Sequence, residues 1–249
     1  MPSSNPDQQT DAAVIEVLRQ ARRLAVLTGA GISAESGIPT FRDAQTGMWA
    51  KFRPEELASP QAFERDPKLV WEWYAWRRSL VLAAAPNSGH RALAAMEPRY
   101  KQFTLITQNV DGLHRRAGSR NVLELHGNIH RARCVDEKIV LETGWDWSTL
   151  PPPCPGCGGL LRPDIVWFGE MLPVQTLEEA EAAAETCGVF LSVGTSSLVY
   201  PAAGLPLQAL HAGATLIEIN PEETPLSSYA HWSVRGNAGA ILPKVLAQL

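Results

Sequence analysis

The sequence predicts an α/β protein built on a doubly wound parallel sheet with a smaller domain inserted into it. Three observations carry that expectation. Short apolar runs alternate with helical stretches, the arrangement that builds parallel sheets buried on both faces. The first run ends in a glycine turn, "LAVLTGAG". Two segments, 40–85 and 127–165, break the rhythm: one is helical and Trp-rich, the other Pro-, Gly- and Cys-rich.

Taken in order, residues 1–10 read as a flexible tail, and Asp11 as the cap of a helix running to Arg23 with Val14, Ile15, Val17 and Leu18 apolar. "LAVLT" follows as the first strand. Comparable strands are expected at "FTLIT" (103–107), "VFLSVG" (189–194) and "TLIEIN" (215–220). Helices are expected over Ser88–Met96, Leu177–Thr186, Pro201–Ala212 and Gly239–Leu249. The expected large domain is Rossmann-like and combines 11–39, 86–126 and 166–249. The segments 40–85 and 127–165 together form the small one.

Composition excludes several functional classes. The 249-residue chain is 45% hydrophobic with a net charge of -4 and interspersed signs, so no basic stripe for nucleic acid or membrane surfaces is expected. No apolar run approaches the roughly 20 residues of a membrane-spanning helix. The N-terminal "MPSSNPDQQTD" lacks the apolar region of a secretory signal. Four cysteines, two of them in "CPGC", suit a metal site in a reducing compartment better than a disulfide framework. A cytoplasmic monomer is the expectation.

Gly29, Gly31 and Ala34 match the dinucleotide turn G-x-G-x-x-[G/A], where glycine lets backbone approach a pyrophosphate at a helix N-terminus. The acidic residue usual about 20 positions later is missing, so this is not an ordinary dehydrogenase half. The turn belongs instead to "GAGISAESGIPTFRD" (29–43). Further blocks follow: "TQNVDGLHRRAG" (107–118), "ELHGNIHRARC" (124–134), "RPDIVWFGE" (162–170), "VGTSSLVYPAAGLP" (193–206) and "EINPE" (218–222). In this order they resemble the sirtuins, NAD-dependent protein deacylases, over nearly the whole chain from about residue 15.

The resemblance implies a reaction in which NAD is consumed. The acyl-lysine carbonyl oxygen displaces nicotinamide from the ribose to give an alkylimidate, a histidine deprotonates a ribose hydroxyl that attacks the imidate carbon, and water completes the release of free lysine and O-acyl-ADP-ribose. His126 matches the catalytic base, and Asn109 stands beside it as a catalytic candidate. A histidine suits the task because its ordinary pKa of about 6.5 lets it take and return protons near neutrality. A metal-binding trio of His126, His130 and Cys134 would need a helix, which Gly127 and Asn128 disfavour. NAD contacts are implied at Gly29, Ala30, Gly31, Ser33, Phe41, Arg42, Gln108, Asn109, Asp111, Gly194, Thr195, Ser196, Asn220, Glu222 and Ala238. Val166, Phe168, Gly169 and Glu170 are implied as an extended segment that pairs with the substrate peptide.

Sirtuins typically hold structural zinc with two C-x-x-C pairs. Here Cys154 and Cys157 form the second pair, whereas Cys134 is followed by "VDE", so Glu137 stands where the fourth cysteine belongs. Three arrangements remain open: Glu137 or Asp136 completes the site, water does, or no metal binds. Cys187 reads as a core residue. In "VWEWYAWRR", Tyr74 and Arg77 match the Tyr-x-x-Arg pair of the branch that removes succinyl and malonyl groups; Thr40 and the small Ala58 agree with it. By residue type alone the two would be a core aromatic and a rim ion pair. Two rivals use the same NAD pocket: an NAD hydrolase or ADP-ribosyltransferase, and a silent ADP-ribose-binding module. Acylated lysine side chains of proteins are the expected partners.

Overall fold

The structure, a computed structural model, describes residues 12–39 and 51–249. The expected tail, the Asp11 cap, Thr40, Phe41 and Arg42 lie outside the described residues. The α/β expectation holds. Helix α1 (Ala12–Gln20) leads into β1 (Arg23–Thr28), and a short α2 (Gly31–Ala34) follows the glycine turn. Helices α3 (Pro54–Leu57), α4 (Pro60–Arg65) and α5 (Pro67–Ala83) make up the first insertion. After α6 (Ser88–Met96) come β2 (Gln102–Thr107), α7 (Leu113–Arg116) and β3 (Val122–Glu124). The second insertion carries β4 (Gly127–Cys134), β5 (Val140–Leu141) and β6 (Leu161–Ile165). The chain closes with α8 (Val174–Thr186), β7 (Val189–Val193), α9 (Leu205–His211), β8 (Thr215–Asn220), β9 (Trp232–Arg235) and α10 (Ala238–Gln248).

Six strands form a parallel sheet in the order β3-β2-β1-β7-β8-β9. Counted along this sheet alone, that is the 3-2-1-4-5-6 order of dinucleotide-binding folds, with its switch point between β1 and β7. Side-chain alternation along each strand fills two apolar layers. Leu24 and Val26 of β1 face α1, α6 and α10, while Ala25 and Leu27 face α8 and α9. A third cluster joins the insertions: Leu57, Trp71, Trp73 and Tyr74 pack with Ile129, Leu161 and Trp167. There β4 pairs antiparallel with both β5 and β6. Ser59 and Asp66 cap α4 and α5, each followed by a proline that needs no N–H partner. The Trp71 indole N–H donates to Leu161 O at 2.7 Å, tying α5 to β6.

Several boundaries differ from the sequence expectation. α1 ends at Gln20, because Arg22 and Arg23 already use their carbonyls for bonds from Gln102 and Gly188 along the sheet. The helix expected over Pro201–Ala212 is a 3-10 turn (Ala202–Gly204) followed by α9, and α8 starts three residues before Leu177. The two sheet edges, β3 and β9, carry only three and four residues and left no apolar run to recognise. "VWFGE" is not extended throughout: β6 ends at Ile165, and Phe168–Gly169 form a turn with Gly169 at φ +85°. Among the described residues, no helix is long and apolar enough to cross a membrane.

Candidate functional site

The loops after β1, β2 and β7 meet at the switch point. Gly31 N donates to Gly194 O at 2.8 Å, and a Cβ on Gly31 would lie 2.7 Å from that same oxygen. Gly194 itself sits at φ +59°, where a Cβ would strike Ile32 N at 2.6 Å. Both glycines are therefore demanded by contact between two loops, a reason the dinucleotide pattern alone does not reveal.

Polar side chains converge beside this contact. Asn109 Nδ2 donates to Gly29 O at 3.0 Å and to Ser33 Oγ at 3.1 Å. The Ser33 hydroxyl donates to Asp111 Oδ2 at 2.7 Å, and Leu113 N donates to Asp111 Oδ1 at 2.8 Å. Burial pushes the Asp111 carboxyl above its usual range, opposed by these two donors. Gln108 Nε2 donates to Thr195 Oγ1 at 3.0 Å, and Asn220 Nδ2 donates to Thr195 O at 2.8 Å, so the ends of β2, β7 and β8 are bonded in series.

His126 lies between β3 and β4, where the large sheet hands over to the small one. Its Nδ1 is 2.9 Å from Gln108 O. A carbonyl only accepts, so Nδ1 carries the proton and Nε2 keeps a free lone pair. Burial lowers its pKa from 6.5, partly offset by the Gln108 carbonyl.

Of the other expected cofactor positions, Ala30 caps α2, Ser196 is half-buried, and Ala238 is buried at the start of α10. Glu222 is exposed, and its carbonyl accepts from Arg235 Nη1 at 2.8 Å. Two residues absent from the sequence expectation form a layer beneath the site. His114 Nε2 is 2.9 Å from Thr28 Oγ1, and His90 packs against His114 with ring centroids 4.8 Å apart. Burial holds both neutral, with pKa values of about 3 for His114 and about 4 for His90. A signal was present for His114, which falls inside the quoted "TQNVDGLHRRAG" block, but none for His90, which lies outside the blocks.

Tyr74 and Arg77 project from one face of α5. Tyr74 is buried, and its hydroxyl accepts from Trp167 Nε1 at 3.0 Å. The Arg77 guanidinium lies over the Trp73 ring at 5.0 Å, and burial lowers its pKa while the Tyr74 oxygen raises it. Ala58 is buried, and its carbonyl accepts from Phe168 N at 3.0 Å. Val166 N donates to His126 O at 3.0 Å, so the turn segment joins both halves of the site. The Glu170 carboxylate is engaged within its own segment, by Arg162 at 2.6 and 2.9 Å and by Trp167 N at 2.9 Å.

The thiolate candidates also come together. Donor atoms of Cys134, Glu137, Cys154 and Cys157 all lie within 4.8 Å of one another. The Cys134 and Cys157 sulfurs are 3.5 Å apart, close to the roughly 3.8 Å edge of a tetrahedron with zinc–sulfur bonds of about 2.3 Å. Backbone N–H groups of Glu137 and Gly159 point at Cys134 and Cys157 sulfur, each at 3.4 Å, as suits thiolates. This donor set fits a structural zinc. Asp136 is not in it: its carboxylate packs on Gly159, where a Cβ would lie 1.9 Å away. Cys187 stands elsewhere, donating to Ala184 O at 3.2 Å, its thiol pushed up to about 11 by burial. Purified protein should carry about one zinc per chain, and Cys154→Ser should lose most of it. A site filled at about 100 times Kd stabilises by about 2.7 kcal/mol, so chelation should lower Tm by roughly 5–10 °C. Folded, metal-free wild type would contradict this.

Comparison with known proteins agrees with the geometry. Residues 29–201, well over half of the chain, match the Sir2 family. An NAD-dependent protein deacylase of Aquifex aeolicus (strain VF5) is 55% identical over 225 residues, covering 89% of this chain and 93% of that protein. A Sir2 homologue crystallised with NAD superposes with a TM-score of 0.90 at 48% identity, covering 96% of this chain and 94% of the other. A Sir2 protein bound to acetylated peptide gives 0.86 at 32% identity, covering 96% and 98%. The chain belongs to the Sir2 family.

Proposed function

We infer that this protein is an NAD-dependent protein-lysine deacylase, and we propose that its pocket takes acidic acyl chains such as succinyl or malonyl. The deacylase conclusion rests on the relatives of that name and on the homologue–NAD and acetylated-peptide complexes. The observation that carries it onto this chain is His126, whose Nδ1 is committed to Gln108 O beside the Ser33–Asn109–Asp111 cluster.

NAD, when bound, supplies a nicotinamide leaving group and a ribose that accepts the acyl group. Gln108, Asn109, Asp111 and Ser33 orient its nicotinamide ribose at the switch point; Asn220, Glu222 and Ala238 serve the adenosine end. The loop contact at Gly31 and Gly194 brings backbone N–H groups near the phosphates. His126 Nε2 takes a proton from a ribose hydroxyl and returns it to a leaving group. A zinc held by Cys134, Glu137, Cys154 and Cys157 would brace the small domain and take no part in the chemistry. With three thiols committed to metal, we place the protein in a reducing compartment, the cytoplasm.

Nicotinamide release decides between deacylation and its rival, NAD hydrolysis. Release should rise at least tenfold, by about the 1.4 kcal/mol that defines a decade, when acyl-lysine peptide is added. It should also match free lysine one for one. Release at the same rate without peptide would establish hydrolysis instead.

The acyl preference is supported by Tyr74 and Arg77, whose polar ends share one face of a partly buried helix. A carboxylate taken out of water needs a charge-assisted partner. The arginine supplies one and the phenol adds a neutral donor.

A further inference from the structure

We propose that Trp167 is a positioning residue for acyl selection: its indole N–H occupies an acceptor lone pair of Tyr74 and so directs the Tyr74 proton into the acyl pocket. This rests on the reading that Tyr74 and Arg77 receive an acyl carboxylate. A phenol donates one hydrogen bond and accepts others, whereas an indole N–H only donates. With Trp167 Nε1 3.0 Å from the Tyr74 oxygen, the tyrosine is necessarily the acceptor in that contact. Among the described residues, none accepts the remaining Tyr74 proton. Burial pushes the phenol up to about 12, so that proton is retained at neutral pH.

The indole is itself held from several sides. The Arg162 guanidinium lies 3.4 Å above its ring, and Phe63 packs against it with centroids 5.4 Å apart. Glu170 ties Arg162 and the Trp167 backbone N–H together. Trp167 is 3% exposed, so water does not replace its contact with Tyr74. A Tyr74 hydroxyl without this donor could turn its lone pairs toward the pocket, and a lone pair repels an acyl carboxylate. The partners lie 93 positions apart, and their contact links the turn after β6 to α5, so the segment that carries this turn also tunes the pocket.

The test is a double-mutant cycle on kcat/KM for succinyl- and acetyl-lysine peptides of one sequence. Trp167→Phe should lower the succinyl-to-acetyl ratio by up to about tenfold, the range of one neutral hydrogen bond, chiefly through KM for the succinyl peptide. Tyr74→Phe should lower it at least as much. The double variant should fall no further than Tyr74→Phe, since the N–H then has no hydroxyl to orient. Additive losses, or equal losses on both peptides, would overturn the proposal. Should Trp167→Phe fold poorly, site-specific benzothienylalanine, which keeps the shape without the N–H, should give the same ratio. Arg77→Met separates the two levels. A collapsed ratio in Arg77→Met with an unchanged one in Trp167→Phe rejects only the Trp167 role. An unchanged ratio in Arg77→Met rejects the acidic-acyl reading itself.

Discussion

Replacing His126 with alanine should lower kcat for deacylation by about 10²- to 10⁴-fold, the usual contribution of a positioned general base. The argument begins with a carbonyl. Because Gln108 O can only accept, it fixes the proton on Nδ1 and leaves Nε2 as the base. Alanine removes that lone pair yet disturbs little packing, for His126 is only half-buried and sits outside the three apolar clusters. Tm should move by no more than a few degrees. The pH profile adds a second, independent readout. The base works when neutral, and burial lowers its pKa below 6.5. Activity should therefore be lost as pH falls through a midpoint under 6.5 and stay level above it. Steady-state release of free lysine across that range checks both points; an acid limb centred above 7 would contradict the assignment.

Arg77→Met should lower kcat/KM for a succinyl-lysine peptide by about 10- to 100-fold relative to an acetyl-lysine peptide, the worth of a hydrogen bond to a buried charge. Methionine keeps much of the apolar stem against Trp73 while removing the guanidinium that the carboxylate needs. The loss should fall on KM, because the acyl terminus lies away from the reacting carbonyl and contributes equally to ground and transition states. Paired assays with the two peptides measure it directly. A wild type that prefers acetyl would sink the acidic-acyl reading even before the variant is made.

Much of this molecule was legible one residue at a time. β1, β2, β7 and β8 are apolar on both faces, so their runs stand out, and helix α6 matches its expected Ser88–Met96 limits because Asn87 caps it. β3 and β9 were not legible, because an edge strand pairs on one side only and needs few residues. The extended form that the resemblance implied for "VWFGE" gives way at Phe168–Gly169 to a turn with a positive φ at Gly169, where Glu170 accepts from Trp167 N. At the site, Ser33, Asn109 and Asp111 were each identifiable from their blocks, while His90 and His114 beneath them were given no role.

The sequence by itself determined the kind of protein: alternating apolar runs settle a parallel sheet, and six ordered motifs settle the family. Those features are local, written within stretches of about five to fifteen residues, which is why they can be read without coordinates. The tertiary structure alone decided the contacts between distant segments. Gly31 is required by Gly194, Trp167 donates to Tyr74, and Glu137, not its neighbour Asp136, joins three cysteines. Each depends on atoms brought within a few ångströms by the fold: two loops of the large sheet for the glycines, and the packing of the two insertions on each other for the rest. No spacing along the chain encodes that proximity.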